Sequence, residues 1–109
     1  MKILVVDDER DIPLLFQQRY RKEIQEGYFE FVFVYSAEEA LEYLAQLGCA
    51  HVVLILSDIN MPGMSGIDLL TRIKARWSQM PVLMITAYGD EDTYAKAMAL
   101  GADGYLDKP

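Results

Sequence analysis

Five short apolar runs recur along the chain, each parted from the next by a segment of helical periodicity, and this alternation limits the fold more than any other feature. The first run, KILVV at 2–6, is continuous and β-branched, which suits a strand covered on both faces. From Arg10 to Glu26, the residues Ile12, Leu15, Phe16, Tyr20 and Ile24 recur at helical spacing and predict one helix. Pro13 is tolerated there because it falls in the first turn, and Gly27 is the stop. FEFVFVY at 29–35 reads as the second strand. Ser36 and Glu39 form a capping box for a helix with Ala40, Leu41, Leu44 and Leu47 on one face and Gly48 at its end. VVLILS at 52–57 is the most hydrophobic strand and the expected centre of the sheet. Ser65 with Asp68 caps a third helix carrying Ile67, Leu70, Ile73 and Trp77, and Pro81 precedes the fourth strand, VLMIT. A fourth helix, from about Asp90 to Leu100, should turn Tyr94, Ala97 and Met98 inward and stop at Gly101, before a short fifth strand in GYLDKP.

Strands alternating with helices imply right-handed βαβ units, hence an α/β fold whose parallel sheet is covered on both faces. A fifth strand in such a sheet is normally followed by one more covering helix, yet the chain stops at Pro109. The expectation is therefore one domain over 1–109, truncated before its last helix. Four helices would then serve five strands, so Ile3, Val5 and their neighbours on the third and fourth strands should lose cover, and the chain should self-associate.

The net charge of −7 over 109 residues argues against a nucleic-acid or anionic-membrane surface, which needs a basic footprint. The lone Cys49 cannot form an internal disulfide and fits a reducing cytoplasm. MKILVVDDE turns acidic too early for a signal peptide, and the longest aliphatic run, Val52 to Leu56, falls far short of the roughly 20 residues that span a bilayer. His51 has no ligand partners in sequence, and the six methionines read as core or turn residues.

In an open parallel sheet, ligands bind beyond the carboxyl ends of the strands, at the point where strand order reverses. The first strand ends in Asp7, Asp8 and Glu9, the third in Asp58, the fourth in Thr86 and the fifth in Lys108, while the second ends in Tyr35-Ser36 without a charge. In the order 2-1-3-4-5, the strands bordering the crevice bring the carboxylates. Such a cluster needs a compensating cation or must take up protons, and hard oxygen ligands, partly from side chains and partly from waters, suit Mg²⁺. With Lys108 as counter-charge and the Thr86 hydroxyl as donor, the site can receive a phosphoryl group, with Asp58 as nucleophile. The turn at Met61-Pro62-Gly63 would let the Asn60 carbonyl face the metal.

Asp7-Asp8, Asp58 in SDINMPGMSG, Thr86 in ITA, and Tyr105 to Pro109 in GADGYLDKP together resemble the receiver domain of two-component response regulators, over the whole chain. The resemblance implies a flavodoxin-like doubly wound sheet and a cytoplasmic signalling switch rather than an enzyme. It makes Asp58 the phosphoacceptor. Asp8, Asp58 and the Asn60 carbonyl would bind Mg²⁺ (or Mn²⁺) directly, and Asp7 through water. Thr86 and Lys108 would contact the phosphoryl group, and Tyr105 would turn inward as Thr86 moves. Asn60 and Tyr88 would tune dephosphorylation, and the Lys108–Pro109 bond would be cis. The implied partners are a sensor histidine kinase or phosphotransfer protein, an effector domain C-terminal to this chain, and a second copy in a homodimer; direct nucleic-acid binding and membrane insertion are not implied. The first helix, at 10–26, looks about one turn longer than the family's.

Each residue also has a plainer reading. Asp7 and Asp8 could cap a helix, Asp58 could be a loop acid, Thr86 a strand residue, Lys108 an edge lysine and Tyr105 core filler. Together these require several coincidences at one sheet edge. An aspartyl phosphohydrolase would want its nucleophile on the first strand and a substrate cap. A flavin protein of this fold would want a phosphate loop where DDERD stands. A receiver-like module that only binds is disfavoured by the intact Asp8, Asp58, Thr86 and Lys108.

Overall fold

The computed structural model describes residues 2–47, 51–87 and 89–108, with the backbone alone at 47. Its elements follow in the order β1 (Lys2–Val6), α1 (Ile12–Arg19), α2 (Arg21–Gln25), β2 (Glu30–Val34), α3 (Ala37–Leu47), β3 (Leu54–Asp58), α4 (Gly66–Arg76), β4 (Val82–Thr86), α5 (Glu91–Ala99) and β5 (Gly104–Asp107). The five strands form one parallel sheet in the order β2-β1-β3-β4-β5, as expected. The fold is flavodoxin-like.

Strand alternation sorts the apolar side chains into two layers. Leu4 and Val6 pack with Ala40 and Leu44 of α3, Leu69, Leu70 and Ile73 of α4 and Ala97 of α5. Ile3 and Val5 point the other way, onto Ile12 and Phe16 of α1, with Leu56 and Ile85 beside them. Three helices therefore cover one face and α1 the other. The caps are those expected: Ser65 accepts from the Asp68 N–H at 3.1 Å and Ser36 from the Glu39 N–H at 3.0 Å. The Glu39 carboxylate reaches back to the Tyr35 N–H at 2.6 Å, one residue before the N-cap.

Three expectations need correction. The helix predicted over 10–26 is two segments, broken at Tyr20 (φ −112°, ψ 26°). The hydrogen bonds run on through the break, Tyr20 to Phe16 at 3.0 Å and Ile24 to Tyr20 at 2.9 Å. The Tyr20 ring is lodged among Phe16, Phe29 and Phe31, and periodicity along the helix is blind to that packing. In α5 only Ala97 is buried. Tyr94 and Met98 lie outward, 49 % and 37 % exposed, and Tyr94 meets Tyr105 edge-on at 5.3 Å. Ile3 and Val5 keep their cover under α1. On that face the thin cover falls at Leu54 and Leu83, both half-buried, and at the exposed Leu106. The expected roles of Gly48 and Cys49 lie outside the described residues, as do those of Tyr88 and the Lys108–Pro109 bond. Among the described residues no helix is long and apolar enough to cross a membrane.

Candidate functional site

The carboxyl ends of β1, β3, β4 and β5 converge on a polar cleft of about 190 Å³, lined by Glu9, Asp58, Asn60, Thr86, Ala87 and Lys108. Asp58 closes β3 and is itself buried. Its Oδ1 accepts from the Ile59 N–H at 2.9 Å, which orients the carboxylate. The backbone behind it is gripped by the turn that follows. Gly66 donates its N–H to the Ile59 carbonyl at 2.8 Å, and a Cβ at Gly66 would strike the Asp58 carbonyl group. Gly63 makes the bend at φ +75°, where a side chain is disfavoured. The sharp chain after Asp58 is thus what holds the buried strand end in place.

Lys108 reaches into the same space from the end of β5, its own N–H bonded to the Thr86 carbonyl at 2.9 Å. Its Nζ lies 2.8 Å from Asp7, 2.9 Å from Glu9 and 3.5 Å from Asp58. Burial works against the ammonium, but the hydrogen bonds to Asp7 and Glu9 and the charge of Asp58 outweigh it and raise its pKa. Burial, and then the neighbouring Asp7 charge, push Asp58 up to about 6 against the pull of Lys108. Burial likewise raises Asp7, against the opposing Lys108 bond. One lysine does not neutralise this group.

Asp7, Asp8 and Asp58 bring carboxylate oxygens within 4.8 Å of one another. Asp7 has both oxygens engaged, Oδ1 by the Glu9 N–H at 3.0 Å and Oδ2 by Lys108. Asp8 is half-buried and stands outside the Lys108 ion pairs. An all-oxygen set with surplus negative charge fits a hard divalent cation. Thr86 is buried at the end of β4. The hydroxyl oxygen of Tyr105, on β5, is buried, and the ring edge passes close to Gly89. Burial, and then the Asp90 charge, raise its pKa.

The structure therefore brings together Asp7, Asp8, Asp58, Asn60, Thr86 and Lys108, while His51 lies exposed before β3, apart from them. Reading the sequence counted Glu9 among the acids but missed its bond to Lys108. Ninety-nine residues separate the pair, and only sheet closure brings them together.

The family model for the response regulator receiver domain matches residues 3–109. The response regulator protein FleR of Pseudomonas aeruginosa is 43 % identical over 108 residues, which make up 99 % of this chain and 21 % of FleR. The chemotaxis protein CheY of the same species is 34 % identical over 111 residues, 100 % of this chain and 85 % of CheY. Among solved structures, the Mn²⁺-bound form of response regulator Rcp1 superposes with a TM-score of 0.83 at 26 % identity, covering 99 % of this chain and 81 % of Rcp1. The chain spans about a fifth of FleR and less than half of several other curated relatives.

Proposed function

The chain belongs to the response regulator receiver family, and from that premise we propose that Asp58 takes a phosphoryl group from a phosphohistidine donor in a Mg²⁺-dependent reaction. Receiver domains are signalling switches and not enzymes in the usual sense. The observation that carries the site assignment is the excess of carboxylate over ammonium in one crevice. Three acids within 4.8 Å and a fourth on Lys108 face one ammonium. A cation relieves the repulsion in such a crevice and in turn admits an anionic donor.

Asp8, Asp58 and the Asn60 carbonyl would hold the metal, with Asp7 acting through water; Mn²⁺ would serve in place of Mg²⁺. Bound there, the ion supplies positive charge for the phosphoryl oxygens. With a pKa of about 6, Asp58 is mostly ionised at neutral pH and able to attack. One carboxylate oxygen forms a bond to phosphorus as the phosphorus–nitrogen bond breaks. The donor imidazole leaves with that electron pair and takes a proton from solvent. Lys108 holds the acids in register and meets the phosphoryl oxygens, and the Thr86 hydroxyl turns toward them. The Tyr105 ring already lies beside Gly89 with its hydroxyl buried and interacting with Thr86, so movement of Thr86 shifts that contact and couples Asp58 to the surface of α5 and β5. The natural donor is a sensor histidine kinase or a phosphotransfer protein in the cytoplasm. The output passes to an effector domain beyond residue 109 or to a second copy of the domain.

Incubation with acetyl phosphate and Mg²⁺ should add one phosphoryl group by intact mass. Asp58→Asn should accept none, and EDTA should stop the wild-type reaction. A variant labelled as fast as wild type would remove Asp58 from the role.

A further inference from the structure

β2 ends beside the acid cluster without adding a charge to it, yet it contributes a ring. The Arg10 guanidinium lies over the face of Tyr35, 3.9 Å from the centroid. Both residues sit just past the carboxyl ends of neighbouring strands, joined by the Asp7 N–H bond to the Val34 carbonyl at 3.1 Å. The Tyr35 backbone is pinned in turn by Glu39. Arg10 is exposed, and among the described residues it forms no ion pair. A guanidinium stacked on a ring keeps its N–H donors directed outward in its own plane, where they can meet phosphate oxygens.

The distribution of the other cations makes this position singular. Of the ten Lys and Arg residues, only Arg10 and Lys108 stand at the carboxyl ends of the strands. Lys2 opens β1 at the opposite edge, Arg19 ends α1, Arg21 and Lys22 fall in the α2 segment that follows it, and Arg72, Lys74, Arg76 and Lys96 lie beyond the midpoints of α4 and α5. Lys108 is already shared among three carboxylates. An approaching anionic donor thus meets Asp7, Asp8, Glu9, Asp11 and Asp58 with one uncommitted cation among them.

We propose that Arg10, held in place by Tyr35, steers dianionic phosphodonors to Asp58, with Tyr35 as its positioning residue. The proposal rests on the phosphoacceptor reading of Asp58. A fixed charge at the rim of a cleft raises the association rate of an opposite charge and loses its influence as salt screens it.

The test measures second-order rates of Asp58 phosphorylation by acetyl phosphate, with saturating Mg²⁺, at low salt and at 1 M salt. Arg10→Ala should be about threefold to tenfold slower at low salt and nearly equal to wild type at 1 M, where charges are screened beyond about 3 Å. Arg10→Lys should recover most of the loss. Tyr35→Leu should show a smaller loss with the same salt dependence. A purely structural role for Arg10 would give a loss that salt does not erase and lysine does not rescue, and that outcome overturns the proposal. So does an Arg10→Ala rate equal to wild type at low salt. A wild-type protein that takes no label sinks the phosphoacceptor reading, and this proposal with it.

Discussion

Replacing Asp58 by asparagine should stabilise the metal-free protein at neutral pH, although it removes the proposed phosphoacceptor. The buried carboxyl titrates near 6 in the fold against an ordinary value of 3.8, a difference worth about 3 kcal/mol once the group is fully ionised. That difference already includes the pull of Lys108 at 3.5 Å; asparagine keeps an Oδ1 acceptor for the Ile59 N–H, but its NH2 is a donor where the carboxylate was an acceptor. The net gain should therefore be about 1–3 kcal/mol, or roughly 4–13 °C in midpoint for a domain of this size. The sign reverses the usual behaviour of a paired aspartate. Because its folded-state pKa is raised, protonated Asp58 favours the fold, and that support is lost as pH rises through about 6. The advantage of Asp58→Asn should be complete above that pH, about half as large at pH 5, and nearly gone below pH 4. Urea unfolding in EDTA, followed by the fluorescence of the half-buried Trp77, measures it. Mg²⁺ should then stabilise the wild type more than the variant. A variant no more stable than wild type at pH 7.5 in EDTA, or a gain that does not shrink on acidification, would refute the burial argument.

Other perturbations bear on the same machinery. Thr86→Ala should still be phosphorylated, but the amide signals of α5 and β5 should shift much less on adding beryllofluoride, a phosphoryl mimic; a full wild-type shift would break the proposed coupling. Tyr88→Ala should hydrolyse its acyl phosphate faster, because a bulky side chain two positions after Thr86 is proposed to shield it, and an unchanged decay rate would dispose of that idea. Gly66→Ala should cost about 2–3 kcal/mol and slow phosphorylation, since the added methyl displaces the Asp58 backbone; wild-type stability in that variant would contradict the close approach.

Much of this domain could be read along the chain because its cues are local. The runs KILVV and VLMIT, the Ser65 and Ser36 caps and the stops at Gly27 and Gly101 each depend on neighbours within about four residues. Such patterns determine which segments become strands or helices, and right-handed crossovers then restrict the sheet order. The convergence of Asp7, Asp58, Thr86 and Lys108 was legible for the same reason, since each ends a strand and parallel strands end on one side. Tertiary structure decided what depends on contacts between distant segments. The break at Tyr20 coincides with the packing of its ring against Phe29 and against Phe31 of β2, and the outward turn of Tyr94 accompanies its contact with Tyr105 on β5. Lys108 is shared among Asp7, Glu9 and Asp58 at distances of 2.8 to 3.5 Å, which raises its own pKa and opposes the burial that raises Asp7 and Asp58. Burial and Coulomb energies depend on separation in space, and no pattern along the chain encodes which of several nearby acids a lysine will meet.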